Sequence, residues 1–288
     1  MNRELRALLV VCLIFAVGAV GYRVLFGAGL ADRFRIVTVQ GDVRHLRSDG
    51  EGATAQAGET LEEGDRIVSG DGGSAVLGLG ADTRVSVDAR SSVKVMGVTD
   101  EGVRLELEGG KVKATVRPGS GRVGVVSDGR EVTATDAEFT AVRDGEGNLA
   151  VSTERGRVEL TGVSGVAELK EGDDLVAPAG GGSPLRAPAS DALLLQVAFP
   201  APGRTREQEV TVEGSTQPGA TVTVKGGARP VSARAGKDGR FVAKVPLAEG
   251  KNALEVEATS LLGRSAEVAR AELVRDTTVP QVGVTIEF

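Results

Sequence analysis

From residue 34 onward, apolar and polar positions alternate in short runs separated by Gly, Asp and Asn. Period-two alternation puts every second side chain on one face, as in a strand with one buried side. The stretch 58–68, GETLEEGDRIV, organises the first part of the chain. Leu61, Ile67 and Val68 are its apolar residues, and Gly64-Asp65 reads as a tight turn before a strand. Gly supplies positive φ there and Asp caps its own turn. FRIVTVQGDVRHLR reads as two strands about Gly41-Asp42, and SAVLGLGADTRVSVD as two more about a polar turn. GVRLELEGGKVKATVR reads as a hairpin. Val103, Leu105 and Leu107 alternate with Arg104, Glu106 and Glu108, Gly109-Gly110 turns the chain, and Val112, Ala114 and Val116 alternate with Lys111, Lys113 and Thr115. Its acidic and basic outer residues are then expected to pair across the strands. RVGVVS, EVTATDAEFTAV, NLAVST and GRVELTG continue the pattern, and VAELKEGDDLVA closes it. About fourteen short strands with regular turns predict a sandwich, barrel or β-solenoid.

Residues 178–190, PAGGGSPLRAPAS, read as a linker of Pro, Gly, Ala and Ser. Residues 191–275 follow with seven strand-like runs, enough for an immunoglobulin-like sandwich. Val210 and Val212 are expected inward, Gly214 as a turn, and Gly226-Gly227 as the tip of a hairpin. Residues 276–288 form a tail whose QVGVTIEF adds at most one strand, and one strand closes no membrane barrel. At the other end, Arg3 and Arg6 precede ALLVVCLIFAVGAVGY, an uncharged run from Ala7 to Tyr22. Such a run is a signal peptide or a membrane anchor. Residues 7–26 reach the ~20 residues a spanning helix needs if Arg23 snorkels to the far headgroups. Gly29 and Ala31 offer a small-residue cleavage site, but Arg23, Leu25 and Phe26 approach it poorly. Residues 1–31 are therefore read as an uncleaved anchor with a cytoplasmic N-terminus. The expected fold is all-β behind one N-terminal transmembrane helix, with a multi-hairpin domain at 34–177 and a sandwich at 191–275.

Composition narrows the chemistry. Aromatics are 3% of the 288 residues, Trp is absent, and Gly contributes 41. Residues 34–180 hold 26 acidic and 17 basic residues, whereas residues 191–288 hold 12 of each, so the excess negative charge sits in the first unit. No basic patch of the kind nucleic acid demands is present. The one cysteine, Cys12, lies in the apolar run and is read as an ordinary helix residue, so no disulfide or thiol chemistry is expected outside the membrane. His45 is the one histidine and is read as a plain strand position without a partner for metal or triad chemistry. Glu62-Glu63 and Asp173-Asp174 are read as solvated turn charges, since strand neighbours face opposite ways. Asp144-x-Glu146-x-Asn148 lacks the Gly and Glu of a calcium loop, with Leu149 and Arg155 in their places, and is read as a hairpin turn. Asp71-Gly72-Gly73 is a turn and not a phosphate loop. Phe139 and Phe241 alternate inward as core. No catalytic, cofactor or metal residue is expected, and the chain is read as a non-enzyme.

Taken in order, Val39-x-Gly41-x-Val43, then Gly58, Leu61, Gly64, Asp65 and Ile67, then Leu107, Gly110, Lys111 and Val112 resemble the FecR-type periplasmic domain. Asp136–Val142, Gly156–Leu160 and Leu169–Asp173 complete the set, with Asp136-Ala137 standing where that family usually has Gly-Thr. The resemblance implies a β scaffold outside the inner membrane. In the founding signalling members a cytoplasmic segment before the helix contacts a sigma factor. Six residues stand there in this sequence, far fewer than the ~20–30 a side of a stable interface, so that role is not expected to carry over. Gly214–Val224, Asp238–Ala258 and Asp276–Pro280 resemble bacterial immunoglobulin-like modules of envelope proteins. The main expectation is a membrane-anchored periplasmic scaffold or recognition protein with an envelope protein partner, binding through loops or open strand edges. The alternative is a sensory or regulatory subunit acting with a separately encoded membrane partner. A peptidoglycan-binding or glycan-active role is a third reading.

Overall fold

The computed structural model describes residues 34–164, 168–188, 193–201, 203–266 and 268–278. The expected anchor at 1–31 and the last ten residues of the tail lie outside them. Among the described residues every regular element is a strand, in agreement with the all-β reading, and no helix is long and apolar enough to cross a membrane. Packing divides the described residues into two compact units, one within residues 1–143 and 153–171 and one within residues 144–152 and 172–288.

Unit 1 begins with β1 (Arg35–Gln40), β2 (Val43–Leu46), β3 (Gly52–Thr54) and β4 (Arg66–Ser69). It continues with β5 (Ser74–Leu79), β6 (Thr83–Val87), β7 (Ser92–Thr99), β8 (Gly102–Val116) and β9 (Arg122–Ser127), then β10 (Arg130–Ala134) and β11 (Ala137–Arg143). It closes with the larger part of β12 (Leu149–Thr161) and with β13 (Glu168–Lys170). The alternating Val, Leu and Ile positions are buried as the pattern requires. Ile36, Ile67, Leu77, Val85, Leu105, Leu107, Phe139 and Leu160 are each almost fully covered. Burying one such side chain is worth about 1.5–3 kcal/mol.

The sequence GVRLELEGGKVKATVR is one continuous strand, not a hairpin. Residues 102–109 of β8 lie between β7, antiparallel, and β9, parallel. Residues 110–116 lie between β6 and β11, both antiparallel. A two-residue primed turn needs positive φ at its first centre (type II′) or at both (type I′). Only Gly110 has it, at 88°, so the chain bends and crosses into a second set of partners. The expected acid–base pairs across a hairpin therefore do not form. Lys111 meets Asp88 at 3.0 Å, Lys113 meets Glu138 at 2.6 Å, and Arg104 meets Glu131 at 2.9 Å. NLAVST and GRVELTG likewise join into β12, bent at Gly156 with φ 76°.

Gly41, Gly110 and Gly156 mark three equivalent bends. An added Cβ would stand 2.6 Å from Gly72 O, 2.3 Å from Ser91 Oγ and 2.2 Å from Asp136 O respectively. Each bend thus nests against the turn of a neighbouring connection, and glycine is the residue that allows both the positive φ and the approach. Asp71-Gly72-Gly73 serves one of these contacts as a plain turn.

Unit 2 contains β14 (Asp173–Ala177) and β15 (Leu185–Pro188), the latter inside the stretch read as a linker. β14 pairs with Leu149–Ser152 on one side and with β15 on the other. The strands that follow are β16 (Gln196–Ala198), β17 (Gly203–Thr205), β18 (Glu209–Ser215), β19 (Thr221–Lys225) and β20 (Val231–Arg234). The last three are β21 (Arg240–Pro246), β22 (Gly250–Thr259) and β23 (Ala269–Arg275). They make a three-stranded sheet, β16-β18-β21, and a five-stranded sheet, β17-β23-β22-β19-β20. Val212, Phe241 and Val245 of the first meet Val222, Leu254 and Val256 of the second in one core. Gly226-Gly227 does lead the β19–β20 hairpin. Gly214 does not turn the chain. It stays within β18, where an added Cβ would strike Gln196 O and the Phe241 ring.

Candidate functional site

The 58–68 stretch closes around His45. That residue is 3% exposed on β2, not a solitary strand position. Its Nδ1 lies 3.0 Å from Glu59 Oε2 and its Nε2 2.9 Å from Asp65 Oδ2. Asp65 also accepts the backbone N–H of Ser48 on Oδ1 and of Glu62 on Oδ2, the turn cap its sequence position predicts. Burial pushes the Asp65 carboxyl up. The Glu62 amide, His45 and the Ser48 amide together outweigh burial and hold it below its ordinary value. Each ring nitrogen of His45 thus faces one carboxylate oxygen. These contacts form a knot that staples the 58–65 loop to β2. Sequence reasoning missed it because Glu59 and Asp65 lie 14 and 20 residues from His45.

The outer face of the β7–β8–β9–β10 sheet is the better candidate for an external contact. Outward residues carry charge, while Val93, Leu105, Val125 and Val132 fill the inner side. Arg66 Nη2 donates to Glu108 Oε1 at 2.8 Å, and Ser92 Oγ donates to Glu108 Oε2 at 2.7 Å. Arg104 donates through Nε and Nη2 to the two oxygens of Glu131, both at 2.9 Å. That pair reaches across β9, and Gly124 lets it: a Cβ there would be 2.7 Å from Glu131 Oε1. The hydrogen bonds from Arg104, and then the charge of Glu131, hold the guanidinium pKa above its ordinary value. Beside the pair lies a trough of about 260 Å³ whose lining includes Met96, Gly97, Thr99, Glu101, Gly102 and Arg122.

The other sequence candidates are scattered. Glu62 and Glu63 are exposed turn residues. Asp173 and Asp174 lie in β14 and point apart. Asp173 pairs with Arg186, whereas Asp174 is buried and accepts from Arg264 Nε at 3.0 Å, so it is not the solvated charge expected. Asp144 is also buried. Its Oδ1 takes the amides of Glu146 and Asn148 and its Oδ2 takes Asn148 Nδ2, which closes the turn between β11 and β12. Phe139 and Phe241 are core, as expected. Among the described residues no cluster of three or more His, Cys, Asp or Glu is arranged to hold a metal ion.

The segment that carries this outer face has a family. Residues 65–159 match the FecR protein family. The match covers β4 through most of β12 and so includes the trough. Two crystal structures of a candidate anti-sigma factor from Parabacteroides distasonis are similar at 21% and 20% identity, each with a TM-score of 0.38. In both comparisons 43% of this chain and 59% of the other are covered, so the chain spans less than two thirds of that protein's length. Extracellular domains 3–5 of Drosophila OTK align over 86% of this chain and 87% of theirs, at 14% identity and a TM-score of 0.18. Likenesses with TM-scores this low carry no argument about fold or partner. No curated protein matches the chain.

Proposed function

We propose that this protein is a regulatory component of a transmembrane signalling system that acts through a separate protein partner. The observation that carries the reading is the FecR match at residues 65–159, the stretch that builds the charged outer face and its trough. It favours regulation over the passive scaffold that the residues alone suggested. In this reading residues 1–31 anchor the chain in the bacterial inner membrane, and the β units stand in the periplasm. The eight strands from Gln196 to Arg275, in two sheets around one core, support an immunoglobulin-like module as a spacer or second contact. The sigma-factor contact of the founding FecR members is left out of the proposal.

The test is a deletion strain of the native host, complemented either by the full chain or by a form whose residues 1–31 are replaced with a cleavable export signal. A regulator that signals through its anchor restores a defined set of transcripts only in the anchored form. Restoration by the soluble form, or no transcript change on deletion, returns the protein to the scaffold reading.

A further inference from the structure

The geometry points to the trough at β7–β9 as the seat of one apolar side chain from an extended segment of the partner protein, with an acidic residue two positions away meeting Arg122. This rests on the partner-dependent reading above and names the surface.

Three observations lead to it. Met96 is the extra residue of a β-bulge: Val95 pairs with Leu105 and Gly97 with Arg104, leaving Met96 unpaired. A bulge re-aims a side chain, and this one leaves a large apolar group 36% exposed beside the Arg104–Glu131 pair of the outer face. Thioethers are adaptable contact surfaces. Beside it, the positions that would fill the face are glycines. Gly97 has open space where a Cβ would stand, and Gly102 is held bare because a Cβ would lie 1.9 Å from Arg122 O. The resulting space of about 260 Å³ is below the usual range for small-molecule pockets, roughly 300–1,000 Å³, and suits a single side chain.

Charge sets what flanks that side chain. Arg104 is occupied by Glu131. Arg122 is exposed, lines the trough, and its guanidinium has no hydrogen-bond or ion-pair partner among the described residues. Glu101 also lines the trough, and the structure records no ion pair between it and Arg122. Register places Arg122 opposite Gly102, which pairs with Thr99, two residues along β7 from Gly97. A strand laid along the face repeats its side chains at the same two-residue interval. An apolar residue over Gly97 therefore brings its second neighbour to the Thr99–Gly102–Arg122 row, where an Asp or Glu completes the pair with Arg122.

The experiment places a photo-crosslinking amino acid at Thr99 of the full chain in intact cells, with a second position at exposed Lys244 in β21. The expected result is one protein crosslinked at Thr99, through a peptide bearing an apolar residue two positions from an Asp or Glu. Yield falls about tenfold with Gly97→Leu, which fills the trough without a backbone clash, and likewise with Arg122→Glu. Replacing the mapped acid by Arg restores the yield with Arg122→Glu. Crosslinking at Lys244 with none at Thr99 overturns the trough and leaves the regulatory reading standing. A Thr99 crosslink indifferent to both variants also overturns it. No protein captured at either position also overturns the trough, and the anchor-replacement test then decides whether the partner-dependent reading stands.

Discussion

Gly110→Asn separates a strand that bends from a hairpin that turns. Asn tolerates positive φ better than other side chains, so a hairpin tip accepts it at little cost. In the crossing strand the new Cβ meets Ser91 Oγ at 2.3 Å, Ser91 Cα at 2.5 Å and Arg90 O at 2.6 Å. Two of these are backbone atoms and cannot rotate away. Forcing them apart costs about 1–3 kcal/mol, and the left-handed conformation adds roughly 1 kcal/mol even for Asn. The expected loss is thus about 2–4 kcal/mol. Gly129→Asn is the control: its φ is 77°, it follows Asp128 in the β9–β10 hairpin, and nothing lies within 4 Å of its Cβ. That change should cost under about 1 kcal/mol. Urea unfolding followed by far-UV circular dichroism, with hydrogen exchange on peptides of β8 to assign the transition to unit 1, measures both. Equal costs at Gly110 and Gly129 refute the crossing strand and restore the hairpin.

Three further outcomes follow from the side-chain contacts. Asp65→Asn keeps the shape but loses the charge that His45 and two amides stabilise, and should cost about 1–3 kcal/mol at pH 7. Because the folded pKa of Asp65 lies below 3.8, its contribution is present above that value and fades as pH falls through the folded one. The gap between wild type and Asp65→Asn in urea unfolding should therefore narrow in acid, and an equal gap at pH 7 and in strong acid contradicts the knot. Arg104→Ala removes a half-exposed bidentate pair and should cost under about 1 kcal/mol in the same assay, a larger loss meaning that the face packs more than it pairs. Arg264→Ala strands the buried Asp174 carboxylate inside unit 2 and should cost roughly 1–3 kcal/mol, held down because Arg264 is itself 41% exposed. Adding Asp174→Asn should recover most of that loss, and a double variant as unstable as the single one counts against the ion pair.

Alternation in residues 34–177 was enough to assign strands and to place Phe139, Leu105 and Ile67 inside, because burial on one face is a local, period-two signal. Where strands go next is not local. Gly109-Gly110 writes the same two letters for a turn and for a bend, and the choice depends on β6, β9 and β11 waiting on either side. His45 looked solitary because its partners come from a loop that folds back over β2, although both belong to the stretch that stood out first. Asp174 looked solvated because nothing near it in sequence announces Arg264, 90 residues away. The trough was illegible for a further reason. It is made by absent side chains at Gly97, Gly102 and Gly124 and by a bulge at Met96, and neither leaves a mark in the hydrophobic pattern.

The most direct measurement is the transcript profile of the deletion strain complemented with Arg122→Glu, at protein levels matched to wild type. The exposed side chain of Arg122 has no hydrogen-bond or ion-pair partner among the described residues, so the change is expected to leave the folding of unit 1 intact. If unit 1 passes its signal through this face, the Arg122→Glu profile reproduces that of the deletion strain. A profile indistinguishable from wild type contradicts the claim that regulation runs through the β7–β9 surface.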